Sequence, residues 1–195
     1  FADAYDFYSA GVAKKAIRYT GRAGNALTYL MRYLMANKTY LINTAGLCGI
    51  ACFLPLLFGE FQGLNMFPIG LAILCLNTPI CTLLSCDPDL EQAIRMLPGQ
   101  TGRFCRKYCL FIFAVNSIVA SIYLCSWQMV SGNTGFIHAI TLFLFALQSA
   151  ILSVALEWIH PIRGWKTESD LWHHPRKYVV PLILLMFAAL VGAWE

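Results

Sequence analysis

The chain has 195 residues, 58% of them hydrophobic and only 12% charged, with a mean hydropathy of +0.61. Soluble globular domains carry about twice that share of charge, so this composition reads as an integral membrane protein. The net charge of +4 comes from basic residues in loops beside apolar runs, where orientation in a bilayer explains them and no nucleic-acid partner is required.

Residues 1–39 carry Lys14, Lys15, Arg18, Arg22, Arg32 and Lys38 against only Asp3 and Asp6, and hold no apolar run long enough to span. They are expected outside the bilayer, as a cytoplasmic or interfacial segment. Within them Leu27, Leu30, Met31, Leu34 and Met35 form an apolar stripe at helical spacing, with Arg32 and Lys38 free to meet headgroups. This pattern predicts an amphipathic helix over 25–36 lying in the membrane interface, with a soluble-domain helix as the alternative.

Residues 40–195 are expected to form an all-α transmembrane domain of about five spans, near 40–58, 67–85, 108–130, 136–158 and 178–194. A run of about 20 apolar residues at 1.5 Å each covers the roughly 30 Å hydrocarbon core. Asn77, Thr78 and Pro79 predict a kink near the inner end of the second span. Asn116, Ser117, Ser121 and Ser126 are the polar positions of the third, suited either to lining a path or to bonding neighbouring helices. The fourth carries His138, Gln148 and Glu157, and the fifth is near the lower length limit. Starting at Phe1 and ending beside an apolar run at Glu195, the chain reads as a piece of a longer polypeptide.

Between the second and third spans lies DPDLEQAIRMLPGQTGRFCRK, residues 87–107. Asp87 suits an N-cap and Pro88 a first helical position, with Asp89 and Glu91 at the positive helix end and Pro98-Gly99 as a stop. Leu90, Ala93, Ile94 and Leu97 fall on one stripe, while Asp89, Gln92 and Arg95 lie off it. A helix of about three turns is too short to cross and too amphipathic for a linker. It predicts a surface element that meets a partner, or one that rests on the bilayer or the neighbouring spans.

After the fourth span, Trp158, Trp165 and Trp172 bracket a second polar loop, at a spacing that suits headgroup depth. His160, His173 and His174 invite a metal reading with Glu168 or Asp170, but adjacent histidines followed by Pro175 point apart, and no metal is expected. The eight cysteines include no Cys-x-x-Cys pair and mostly sit in apolar runs, as small hydrophobes would. No phosphate loop and no catalytic triad order is present, so no catalytic site or cofactor is expected in this chain. All 14 Lys and Arg fall before span one, between spans two and three, and between spans four and five. By the positive-inside rule that side is cytoplasmic, which predicts a multi-pass plasma-membrane protein with its amino-terminal segment inside.

Three stretches resemble the ABC-2-type exporter permeases. Tyr40-Leu41-Ile42-Asn43-Thr44, preceded by Tyr29 to Tyr33, is similar to the family's SP-x-Y-x-x-N-T opening of a first span. Ser85 and the acidic stretch from Asp87 to Leu97-Pro98 resemble the segment running into L-x-x-L-P-V-S, with Gly99-Gln100 standing where the family has Val-Ser. Pro161, Trp165 and Glu168 match the P-x-x-x-W-x-x-E loop in order. The resemblance implies a permease subunit driven by a separate cytoplasmic ATP-binding subunit that carries the ATP and Mg. It also implies a second permease half or a homodimer, and a coupling helix at Asp87 to Leu97 that leaves Asp87, Asp89, Glu91 and Arg95 exposed. Two other classes stay open: a secondary transporter or channel fragment, and a non-catalytic membrane assembly subunit.

Overall fold

The structure is a computed structural model and describes residues 26–36, 38–58, 65–75, 78–86, 88–96, 99–132, 135–162 and 175–194, all helix or short connection with no strand among them. Helix α1 (Ala26–Ala36) runs close to α2 (Lys38–Phe58). Three short helices follow, α3 (Phe67–Leu74), α4 (Thr78–Cys81) and α5 (Leu83–Cys86), then α6 (Pro88–Met96). The long helices α7 (Gln100–Ser131) and α8 (Phe136–Ile159) come next, and a 3-10 turn over Pro175–Tyr178 leads into α9 (Val179–Trp194). Among the described residues three helices are long and apolar enough to cross a membrane, at Tyr40–Phe58, Thr101–Ser131 and Phe136–Ile159. Helix α7 packs between α2 and α8, and α9 packs on α3 and α8.

The second expected span is broken rather than kinked. Pro79 has no N–H to give to the carbonyl of Cys75, four residues back, and its ring crowds that carbonyl. Helix α3 therefore stops at Leu74, and a second interruption at Thr82 separates α4 from α5. Six of the eight residues of α3 are buried, among them Phe67, Gly70 and Leu71, and Leu83, Leu84 and Ser85 of α5 are buried too. The broken element thus forms the inside of the bundle.

The buried apolar residues fall in two clusters. One gathers Phe67, Leu71, Tyr123, Leu142, Phe145 and Leu184; the other gathers Leu30, Leu84, Ile94, Tyr108, Ile112 and Val154. In lipid these contacts hold through close packing and hydrogen bonding, because acyl chains are as apolar as leucine. Gly70 shows how close the packing is: a Cβ there would collide with Oη and Cζ of Tyr123, whose ring stacks on Phe67 at 5.3 Å.

Two expected boundaries move. Helix α7 has 32 residues, about 48 Å long, so it extends well past a hydrocarbon core of about 30 Å. It starts at Gln100 rather than Tyr108, which makes Arg103, Arg106 and Lys107 part of the helix instead of a loop. Gly99 turns the chain between α6 and α7 at φ +76°, a left-handed conformation that a side chain would strain. The amino-terminal amphipathic stretch is helical over Ala26–Ala36, with Leu30 buried in the second cluster and Met31 and Met35 exposed. Its residues 1–25 lie outside the described residues.

Candidate coupling site

Helix α6 begins at Pro88, as its sequence predicts, and ends at Met96 just before the Gly99 turn. Ile94 is buried in the second cluster and Leu90 packs against it, so the apolar stripe faces the chain's own spans. The outward side carries Gln92, Arg95 and Met96, the last 72% exposed.

Glu91 corrects the expectation of an exposed charge: it is 5% exposed. Its carboxylate accepts from Nε of Arg95 at 2.8 Å, one helical turn on. The same guanidinium donates from Nη2 to the carbonyl of Trp158 at 3.1 Å and lies over the Trp158 ring, 4.4 Å from its centroid. Arg95 is therefore less a rim charge than a clamp joining α6 to the end of α8. A planar guanidinium can make all three contacts at once, which a lysine cannot.

A second tie lies directly behind the first. Glu157 of α8 is fully buried and accepts the backbone N–H of Ser85 at 2.6 Å. That N–H belongs to the first turn of α5, where helix donors lack internal partners and a carboxylate is favoured. Ser85 Oγ in turn accepts the N–H of Ile162 at 2.9 Å, so the segment leaving α8 is fastened to α5 as well.

The remaining interruptions are closed in the same way. Tyr108 Oη donates to the carbonyl of Ile80 at 2.7 Å and accepts the N–H of Leu83 at 3.3 Å, bridging the gap at Thr82. Ser149 Oγ donates at 3.2 Å to the carbonyl of Cys75, the one Pro79 leaves without its usual donor, and accepts from Asn116 Nδ2 at 3.2 Å. Broken backbone at membrane depth is tolerated where side chains supply such partners. Each bond left unmade would cost about 1–3 kcal/mol.

Of the residues singled out by sequence, the structure brings Leu90, Glu91, Ile94 and Arg95 together on α6. Asp89 lies on the same helix. Pro161 follows α8 and is half-buried beside the Ser85 tie. Asp87, Leu97, Trp165 and Glu168, with His173 and His174, lie outside the described residues. No three His, Cys, Asp or Glu side chains are grouped to hold a metal ion among the described residues. Sequence reasoning missed Glu157 and Trp158 as site residues. The available signal was a carboxylate at the end of a 24-residue apolar helix, a placement that is costly unless it is used. Comparisons with family models, curated proteins and solved structures find no match, so the chain's own geometry carries the functional reading.

Proposed function

We propose that the chain is a membrane-spanning permease subunit of an ATP-driven, ABC-type exporter, with α6 as the helix that couples it to a cytoplasmic ATP-binding subunit. The observation that carries this reading is the clamp. A helix that docks on a moving partner transmits motion only if its other face is fixed. Arg95 and Glu91 fix α6 to α8, and Glu157 fixes α8 to the broken element inside the bundle. A push on Gln92 and Met96 then moves α8 and α5 together instead of being absorbed by a loop. In this reading α3 to α5 and α9 complete five crossings, and α1 lies along the inner leaflet. The basic ends of the helices face the cytoplasm, ATP and Mg stay on the partner, and a second half or second copy completes the pathway.

A secondary transporter is the other reading, and the helix break is what favours it, since such transporters place binding groups where helices are discontinuous. Photo-cross-linkers at Gln92 and Met96, in membranes of the native cell, distinguish the two. The coupling reading expects both positions to capture a protein with a P-loop ATPase sequence, and Ser121, on the exposed middle of α7, to capture none. Absence of any ATPase at Gln92 and Met96 would leave the exporter reading without its coupling element.

A further inference from the structure

Where α3 ends, the chain gathers oxygen atoms that its own hydrogen bonds do not use up. Among the described residues the carbonyl of Cys75 receives a 3.2 Å bond from Ser149 Oγ in place of the regular helical donor. Ser149 is fully buried, and its hydroxyl accepts from Asn116 Nδ2. Asn116 is 1% exposed, and its Oδ1, on the same planar amide, has no hydrogen-bond partner among the described residues. Next along α7, the buried hydroxyl of Ser117 has none either. Elsewhere in these helices Ser121, Ser131, Thr141 and Thr44 bond back to the carbonyl four residues earlier, and Ser126 bonds to the Cys52 carbonyl of α2. Ser117 Oγ, beside Asn116, makes neither kind of bond among the described residues.

We propose that the carboxyl end of α3, where it meets α7 and α8, is a binding site for a monovalent metal cation, held by the Cys75 carbonyl, Ser149 Oγ and Asn116 Oδ1. Three features of the cluster select that ligand class. All three oxygens are neutral acceptors, which suits a hard cation. The carbonyl end of α3 adds the partial negative charge of a helix C-terminus, directed at the break. Among the described residues no carboxylate is at hand to bind a divalent ion: Glu157 lies two turns further along α8, about 12 Å away, and is engaged with Ser85. Ends of discontinuous helices with unwound carbonyls are where membrane transporters hold such ions. The site does not depend on the coupling role of α6, because it lies in the interior of the bundle.

The test uses the full chain in lipid nanodiscs, unfolded thermally in sodium, potassium or choline chloride at equal ionic strength. Sodium or potassium is expected to stabilise over choline. The apparent unfolding constant should fall about tenfold for each tenfold rise of the ion above its Kd. Asn116→Leu keeps the volume and removes Oδ1 together with the Nδ2 bond to Ser149, so unfolding in choline should come somewhat earlier than in wild type and the difference between metal-ion and choline salts should vanish. Asn116→Asp keeps the oxygen and adds charge, so it should bind the same ion more tightly. Equal responses to all three salts would overturn the proposal and leave a buried water as the partner of Asn116. A metal-ion response that persists in Asn116→Leu would overturn it by placing the ion elsewhere. Should Asn116→Leu not fold, Asn116→Asp decides: binding no tighter than wild type counts against the site.

Discussion

Replacing Glu157 tests the tie that holds α8 to the broken element. Its carboxylate is fully buried and accepts the Ser85 N–H at 2.6 Å, a bond to a charged acceptor. Such bonds contribute about 1.5–3 kcal/mol, roughly twice the neutral kind. Glu157→Gln keeps an acceptor in place without the charge and should cost about 1 kcal/mol. Glu157→Leu restores most of the volume but leaves the Ser85 N–H buried without this acceptor, for about 2 kcal/mol. Glu157→Ala adds a cavity and should reach about 3 kcal/mol or more. The order Gln, Leu, Ala therefore separates the hydrogen bond from the packing. Reversible unfolding in mixed micelles reads the stabilities, and hydrogen exchange reads the Ser85 amide directly. A loss of about 3 kcal/mol corresponds to a protection factor at Ser85 lowered by about a hundredfold. If Glu157→Leu is as stable as wild type, or if Ser85 exchanges at the same rate in all variants, the carboxylate is not what holds α5.

Gly70→Ala forces a methyl group against Tyr123 and should destabilise by about 1–3 kcal/mol in the same unfolding assay. Tyr123→Phe should instead be neutral or stabilising by up to about 1 kcal/mol, because its buried hydroxyl has no partner among the described residues. The two together should be less harmful than their sum, and strict additivity would mean that the hydroxyl is not what meets the methyl group. For topology, a chain stripped of native cysteines should be labelled from outside the cell at cysteines placed at Gln62 and Asn133, and not at Gln100 or Thr167. Outside labelling at Gln100 would reverse the assignment of α6 to the cytoplasmic face.

Composition and periodicity alone determined the all-helical class, the apolar runs of α2, α7 and α8, and the existence and apolar stripe of α6, because these follow from residue spacing within a few turns; which neighbour the stripe meets came from tertiary structure. Pro79 marked the second run as irregular for a local reason as well: it lacks an N–H for Cys75. Whether that irregularity is a kink or a full break was decided only by tertiary structure. A break survives in a bundle when side chains far along the chain meet the freed backbone groups, here Ser149, Tyr108 and Glu157. Glu91 was misjudged for the same cause. It was expected exposed as part of a coupling helix, yet its carboxylate is buried and bonded to Arg95, which reaches on to Trp158, 63 residues away. Nothing in the local spacing of Ser149, Tyr108 or Glu157 marks them for this role, and only the packing of α7 and α8 around the broken element determined which groups they meet.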